Sequence, residues 1–295
     1  MMKPLSHSQL NLLSQITALA LPVPPENVPC LTVANMVNFH ADRVKYLDGD
    51  AAMSPKEWQE SLSRIQQDDQ LMDLHILASI DRPYNGLHSL CFSDKSRERG
   101  ILTFRGTVSL GGWIDNYRGG FVADTPQQAS ALAFKHRMDR TYHFKTYDLA
   151  GHSKGGNCAQ YITILEGNTI DRCLTFNAPG FSAEFLEKYN DGINAYQHKI
   201  TAYEGAYDMV NVLLNSVAGE RIMVDKGSID PNQNHKPNRF LDARGQIRRR
   251  RKRNPILVAM QNATIGLTFA AKDAKAHVQE MNQKKKKKKK TGTHS

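Results

Sequence analysis

The sequence is poor in cysteine and lacks a long hydrophobic run. Its four cysteines, among 295 residues, are scattered and show no zinc-ligand spacing, so we expect free, buried thiols. No apolar stretch reaches the roughly 18 residues that a membrane-spanning helix needs. The closest one, residues 256–271, contains Gln261 and Asn262. A phosphate-binding loop of the type G-x-x-x-x-G-K-[ST] is also missing.

The N-terminus favours a helix over a secretory signal. Lys3 and the stretch ALA at residues 18–20 resemble parts of a signal, but polar residues interrupt its would-be apolar stretch. We therefore expect a cytoplasmic or peripheral membrane protein without a transmembrane span, and leaderless export as an effector stays open. Leucine and isoleucine recur instead at helical spacing, at Leu12, Leu13, Ile16 and Leu19.

Positive charge is concentrated in the C-terminal part. The formal net charge is +10, and two runs, RRRRKR (residues 248–253) and seven lysines (residues 284–290), hold 13 of the 39 basic residues. The other 26 basic residues face 29 acidic ones, so the remainder is mildly acidic. A basic segment beside an apolar helix suits an anionic membrane surface. Nucleic acid is a less favoured partner, and a solvated tail without a partner is the third alternative.

The pattern divides the chain into three segments. Residues 1–70 read as a helical extension, residues 71–247 alternate short strands with helices, and residues 248–295 hold a basic helix over 255–283 and a disordered lysine tail. Alternating strands and helices predict an α/β fold, with a mainly parallel sheet and helices on both faces. Functional sites in such folds lie at the carboxyl ends of the parallel strands. The loops of interest follow Phe104, Ala150 and Phe176.

The stretch LAGHSKGGN has the spacing G-x-S-x-G, formed by Gly151, Ser153 and Gly155. A predicted strand precedes it and a predicted helix follows it, which is typical of the strained turn that exposes a nucleophilic serine. Ser153 is therefore the predicted nucleophile. The backbone N–H of Lys154, at the start of the helix, would stabilise an oxyanion. A glycine-rich turn without catalytic function is the alternative.

A nucleophilic serine needs a histidine base and an acid that orients it. In strand–turn–helix sites of this kind the chain order is serine, acid, histidine. His235 is the best base, because it lies in a polar loop just past a predicted strand. Asp208, which follows the predicted strand ITAY, is the best acid; its alternative role is to cap the stretch MVNVLL of a short helix predicted within residues 207–215. Asp225 is the main rival acid, and Asp230 a weaker one.

The motif LTFRGT follows an earlier predicted strand and would supply the second oxyanion donor. That donor is the backbone N–H of Thr107, with its hydroxyl as a further candidate. Residues 111–128 are a candidate lid over the site.

Four motifs in order, ILTFRGTVSLGGWIDN, LAGHSKGGNCAQY, FNAPGF and YEGAYDMV, resemble the class 3 lipase group of α/β-hydrolases, and most closely a bacterial lipase-like branch of it. The resemblance covers roughly residues 75–245. It implies an α/β-hydrolase fold and a Ser153–Asp208–His235 triad, with Thr107 and Lys154 at the oxyanion hole. Lys154 departs from the leucine usual in that group. Its ammonium would either sit near the cleft and favour anionic substrates or point outward.

These observations predict a serine carboxylic-ester hydrolase that acts on lipid esters through an acyl-enzyme. A lipase or a phospholipase, with phospholipase A as one form, is the leading interpretation, and the chemistry requires no metal or organic cofactor. An acyltransferase on the same scaffold is one alternative. A non-catalytic module that binds membranes or polyanions is the other.

Overall fold

In the part of the chain that the structure describes, seven strands form one sheet, in the order in which they follow one another along the chain. The structure is a computed structural model that describes residues 3–46, 53–83, 85–106 and 122–291, with residues 285–291 described by their backbone alone. The first three strands pair antiparallel, and the third to seventh pair parallel. The strands are β1 His75–Arg82, β2 Leu87–Ser93, β3 Arg99–Phe104, β4 Thr146–His152, β5 Ile170–Phe176, β6 Ile200–Gly205 and β7 Glu220–Val224.

Four N-terminal helices cover one face of the sheet. Helix α1 packs on β3, β4 and β5, and its apolar residues share a core with Ile101, Ala150 and Leu174 of those strands. Capping boxes fix the starts of the first three helices, where side chains satisfy backbone N–H groups. The predicted N-terminal helical extension is thus a layer packed on the sheet, and its boundary at residue 70 stays a prediction. These helices are α1 His7–Ile16, α2 Val33–Ala41, α3 Pro55–Gln66 and α4 Asp69–Met72.

The opposite face of the sheet is covered by helices from the middle of the chain. Their core includes Leu102, Leu149 and Cys173, which alternate along the strands with residues of the first face. The prediction of a mainly parallel sheet with helices on both faces is confirmed. The helices are α5 Pro126–Tyr142, α6 Lys154–Glu166, α7 Ala183–Lys188 and α8 Asn190–Tyr196, with 3₁₀ turns at Pro25–Asn27, Val44–Tyr46, Gly167–Thr169, Gln197–Lys199 and Pro237–Phe240.

Two elements differ from the prediction near the C-terminal half. The helix predicted over residues 207–215 is wrong, because the segment forms turns in which Leu214 has a φ of 69°. After the short helix α9 Pro231–His235, the last helix, α10 Pro255–Thr291, runs past residue 283 through the lysines for which we predicted disorder. Lysine is a good helix former, so its backbone can continue a helix already begun. None of the described helices is long and apolar enough to cross a membrane.

The parallel strands bring five loops to one edge of the sheet. The loops that follow β3, β4, β5, β6 and β7 all leave the carboxyl ends of those strands. Ser153 lies directly after β4, Asp208 follows β6, and His235 ends α9 after β7. All four cysteines are free, and only Cys30 is exposed.

Candidate active site

Ser153 occupies a strained turn between β4 and α6. Its φ of 55° and ψ of −130° lie outside the regions that side-chain-bearing residues favour. Glycines on both sides make the turn possible. A Cβ on Gly151 would lie 2.5 Å from the carbonyl carbon of Gly155, and one on Gly155 would overlap the carbonyl oxygen of Phe104. The G-x-S-x-G spacing therefore reflects close backbone approach, as a nucleophile elbow requires.

Three of the predicted residues meet through two hydrogen bonds. His235 Nε2 lies 3.0 Å from Ser153 Oγ, and His235 Nδ1 lies 2.7 Å from Asp208 Oδ2. In the tautomer that fits this arrangement, Nδ1–H donates to the carboxylate and Nε2 accepts the serine hydroxyl. Ser153 and Asp208 are buried, whereas the His235 side chain is 23% exposed. The histidine therefore faces solvent and the acid does not.

Asp208 is held by both of its oxygens. Oδ1 accepts the backbone N–H groups of Val210 and Asn211, each at 2.8 Å, which leaves Oδ2 for His235. The alternative role of Asp208 as a cap is thus realised on a turn instead of a helix, and it coexists with the contact to the histidine. The rival acids lie elsewhere: Asp225 pairs with Arg251 at 3.2 Å, and Asp230 caps α9 through Asn232 N at 2.9 Å.

A buried lysine holds the backbone on both sides of His235. Lys226 Nζ donates to the carbonyl oxygens of Asn234 and, at 2.6 Å, of Lys236. It also lies 3.8 Å from the centre of the Phe240 ring, a cation–π contact. Burial lowers the pKa of the Lys226 amine well below its ordinary value, although the charge of nearby Asp208 raises it. The amine therefore stabilises the backbone of the loop that contains His235, and because it is buried it does not contact substrate.

Two further side chains fix the same loop to neighbouring strands. Asn177, just after β5, donates from Nδ2 to the Asn234 carbonyl at 2.6 Å and accepts the Gly205 N–H at 2.7 Å. His152, the last residue of β4, lies 2.6 Å through Nε2 from the carbonyl oxygen of His235. Burial lowers the pKa of His152 well below its ordinary value, so the neutral ring donates this bond.

Sequence reasoning missed Lys226, Asn177 and His152 as parts of the site. Asn177 and His152 lie inside the motifs FNAPGF and LAGHSKGGN. Their positions at the ends of predicted strands could have indicated that they belong to the site. Lys226 carried no such signal, since it lies in an ordinary polar loop after β7.

The oxyanion side of the site is described in part. Lys154 is the first residue of α6, so its backbone N–H is among those that a helix leaves without an internal acceptor. Thr107 and residues 111–121 of the predicted lid lie outside the described residues. Gly106, the last described residue before Thr107, approaches closely enough that a Cβ there would lie 2.8 Å from Ser153 Cβ. The loop after β3 therefore reaches the serine.

The side chain of Lys154 does not point outward, so that alternative is wrong. It is buried, and its Nζ donates to Asn157 Oδ1 at 2.9 Å. Asn157 also accepts from Gln128 Nε2 at 2.8 Å and donates to the Gly180 carbonyl at 2.9 Å. Burial lowers the pKa of the Lys154 amine. Asn157 thus joins α6 to the start of α5 and to the loop after β5, and the Lys154 amine bonds to this asparagine.

Among the described residues, no group of three or more histidine, cysteine or acidic side chains is arranged to hold a metal ion. The reactive groups that the site does present are a hydroxyl, an imidazole and a carboxylate in one hydrogen-bonded series. Such a series can transfer a proton from the hydroxyl to the ring as the oxygen attacks an electrophilic carbon.

The chain is similar to several solved lipase structures. The Lip2 lipase of Yarrowia lipolytica is 14% identical, with 77% of this chain and 80% of that one covered and a TM-score of 0.46. The Rhizomucor miehei lipase, solved with its propeptide, is 15% identical, with 81% and 94% covered and a TM-score of 0.40. A triacylglycerol lipase of Penicillium expansum is 11% identical, with 55% and 72% covered and a TM-score of 0.37. No curated protein matches the chain.

A family model identifies the chain more directly. The model for the Tle-like phospholipase domain matches residues 42–252, which include all seven strands and Ser153, Asp208 and His235. The predicted lipase-like α/β-hydrolase is confirmed at this level, while its placement in a bacterial branch stays a prediction. Because the match spans well over half of the 295 residues, this protein belongs to the Tle-like phospholipase family and is a lipid-ester hydrolase with the α/β-hydrolase fold.

Proposed function

We propose that the protein is a phospholipase that cleaves acyl ester bonds, with Ser153 as nucleophile, His235 as general base and Asp208 as the residue that orients the base. The observation that carries the proposal is the hydrogen-bonded series from Asp208 Oδ2 through the His235 ring to Ser153 Oγ, at 2.7 and 3.0 Å. The family, whose description names a phospholipase, supports the lipid part of the proposal.

In the first half of the reaction the ester acylates the serine. His235 Nε2 takes the hydroxyl proton as Ser153 Oγ attacks the ester carbonyl carbon, and a tetrahedral oxyanion forms. The negative charge of buried Asp208 stabilises the imidazolium. The ring then gives its proton to the departing alcohol oxygen as the carbon–oxygen bond of the ester breaks. The lipid leaves as an alcohol, and the acyl group stays on Ser153.

The oxyanion would be stabilised by two backbone donors. The Lys154 N–H lies at the amino end of α6, where the helix dipole also favours negative charge. Thr107 is proposed as the second donor, and the close approach of Gly106 to Ser153 supports it. Removal of a single such donor costs about a hundredfold to a thousandfold in turnover in enzymes of this kind.

In the second half a water molecule releases the fatty acid. His235 takes a proton from the water, whose oxygen attacks the acyl carbon, and returns it to Ser153 Oγ as the ester to the serine breaks. An alcohol in place of water would give a new ester, so the choice of acceptor alone separates a hydrolase from an acyltransferase.

The test is release of fatty acid from vesicles of phospholipid and of neutral glyceride, measured by mass spectrometry. The parent protein should release fatty acid from phospholipid, and Ser153→Ala and His235→Ala should release at least about a thousandfold less. His198→Ala is the matched control, because His198 lies in the 3₁₀ turn before β6, at the opposite edge of the sheet. It should retain the parent rate.

Three results would contradict the proposal. Equal release by the parent and Ser153→Ala would exclude the serine as nucleophile, and release from glycerides alone would make the protein a lipase. With an added alcohol, acyl transfer that exceeds hydrolysis would assign an acyltransferase. A fluorophosphonate probe that labels the parent but not Ser153→Ala would show a reactive serine independently of the lipid chosen.

A further inference from the structure

Helix α10 exposes apolar side chains that the catalytic proposal does not use. Residues 255–271 carry no charge. Of the nine exposed residues between 256 and 271, eight are apolar or glycine, and Asn262 is the single polar one. Ile256 is 71% exposed and Leu267 57%. We call this side of the helix, residues Ile256, Val258, Ala259, Ala263, Gly266, Leu267, Phe269 and Ala270, the outward face.

The side of α10 that contacts the protein is more polar than the outward face. Gln261 and Thr268 are buried there, and Gln261 Oε1 accepts from Arg253 at 2.7 Å. Thr268 Oγ1 accepts from Asn215 Nδ2 at 3.1 Å, and Thr264 Oγ1 donates to the Val212 carbonyl at 3.0 Å. A surface helix ordinarily turns its apolar stripe toward the core and its polar side toward water. Here the inward side is mixed, with Leu257 buried beside Gln261 and Thr268, and the exposed side is nearly all apolar, which marks the outward face as a surface for an apolar partner.

The helix lies at the edge of the sheet that carries the catalytic series. Its contacts with Val212 and Asn215 are to the segment that follows β6 and contains Asp208. Two other exposed apolar residues belong to loops at this edge. Met209, next to Asp208, is 46% exposed, and Ile229, in the loop that leads to His235, is 75% exposed. The outward face thus belongs to a helix that packs on the segment carrying the catalytic acid.

Basic residues flank the apolar stretch on both sides. The Arg253 side chain, 8% exposed, pairs with Glu204, so one arginine of the first run anchors the start of α10 to β6. Arg249 and Arg250 keep their side chains 86% and 70% exposed even though they approach acidic residues. The second run contributes seven lysines at residues 284–290. The partner should thus combine an apolar interior with anionic groups at its surface.

We propose that the outward face of α10 and its basic flanks form a docking surface for an anionic lipid bilayer. The purpose of this docking rests on the proposed function, since it would bring Ser153 to the membrane that contains the ester. A second copy of the chain would bring like-charged runs together, and a nucleic acid would pair with the cations but leave the apolar residues in water. A bilayer satisfies both, because acyl chains cover the apolar side and anionic head groups meet the cations.

The first experiment measures binding to vesicles by flotation. The full chain carries Ser153→Ala so that no lipid is consumed, and the vesicles are phosphatidylcholine with or without phosphatidylglycerol. The double variant Leu267→Glu, Phe269→Glu tests the outward face. Tyr46→Glu is the matched control, because Tyr46 is an aromatic residue 73% exposed in the N-terminal layer. All positions are exposed, and circular dichroism verifies that the variants fold.

The expected result has two parts. The parent should bind vesicles that contain phosphatidylglycerol, and the double variant should bind them at least about tenfold more weakly, whereas Tyr46→Glu should bind like the parent. Replacement of residues 284–290 by serine should weaken the preference for anionic over neutral vesicles, because the exposed arginines of the first run remain.

Several results would overturn the proposal. One is equal binding by the parent and the double variant. Another is a dimer in sedimentation that the double variant dissociates while neither binds vesicles. A third is binding to duplex DNA, lost only with the lysines, by a parent that binds no vesicles. Hydrolysis of a soluble short-chain ester by the full chain with Ser153 intact is a separate readout. Its absence would contradict the proposed function and leave the vesicle-binding result unaffected.

Discussion

The surroundings of His235 and the outward face of α10 each depart from the usual arrangement, in opposite ways: the first buries polar groups, and the second exposes apolar side chains. Around His235, polar groups are buried and bound to one another: Lys226 and Asn177 donate to backbone carbonyls, and Asp208 accepts two backbone N–H groups. On the outward face, apolar side chains such as Leu267 and Phe269 stand in water.

The difference separates what each region can contribute. A buried polar group left without its partner is costly, so changes around His235 should affect both folding and catalysis. An exposed apolar side chain contributes little to folding, so changes on the outward face should affect binding and leave the fold intact. Each prediction below tests one side of this separation.

The largest effect is expected at Asp208. Asp208→Asn keeps the size of the side chain but removes the charge that orients and stabilises the His235 ring, so kcat should fall by about 10⁴-fold. Asp225→Asn is the matched control, since Asp225 follows β7 and pairs with Arg251 at 3.2 Å instead of with the histidine. It should change kcat by less than about threefold. A larger loss in Asp225→Asn than in Asp208→Asn would assign the acid to the rival residue.

The second effect contrasts two glycines. In Gly155→Ala the new methyl group would overlap the Phe104 carbonyl oxygen, so the free energy of unfolding should fall by more than about 3 kcal/mol. Gly266 lies on the outward face, and a methyl group added there would have no neighbouring atom within 4 Å. Gly266→Ala should raise the free energy of unfolding by about 0.5–1 kcal/mol, because alanine favours the helix. Urea unfolding measures both, and a tolerated Gly155→Ala would contradict the close approach at the elbow.

How far the sequence predicts the site depends on what each residue contacts. Ser153, Asp208 and His235 could be proposed because each follows a strand and the chemistry fixes their types and order. Lys226 could not, since its role rests on two backbone carbonyls, which every residue possesses. The long-range contacts that bring such groups together have no local pattern in the chain.

The fold shows the same limit. The strands buried on both faces read clearly as short apolar runs, whereas β1, an edge strand with half-exposed positions, was not predicted. The helix expected over residues 207–215 failed because Asp208 and Asn211 hydrogen-bond across to the histidine site and to Asn177. Tertiary contacts override the apolar periodicity there.

A third prediction concerns Lys226. Lys226→Met keeps an unbranched side chain but removes the donor to the carbonyls on both sides of His235, so the ring should be held less well and kcat should fall by about tenfold to a hundredfold with KM little changed. Lys199→Met is a close control, because Lys199 Nζ also donates to two carbonyls, those of Gly167 and Ile170, at 2.7 Å each, at the amino edge of the sheet. Both variants should lose stability, and only Lys226→Met should lose turnover. An equal kcat in the two would reduce Lys226 to a structural role.

The smallest effect is a dependence of stability on pH that arises from the buried surroundings of His235 and not from the outward face. Burial lowers the pKa of His152, so as the pH falls below about 6.5 the unfolded chain binds a proton that the folded ring refuses. The free energy of unfolding should therefore decrease toward acid, by at most about 1.4 kcal/mol per pH unit from this residue.

His152→Gln should remove this contribution while its amide keeps a donor for the His235 carbonyl. Burial also lowers the pKa of His40 and His88, but these residues titrate in both proteins, so the difference between the two urea-unfolding series isolates His152. Parallel curves for parent and variant between pH 7.5 and 5.5 would mean that the folded ring does take up the proton. The Leu267→Glu, Phe269→Glu variant, altered only in water-exposed apolar groups, should follow the parent curve in slope, because no buried titrating group is changed.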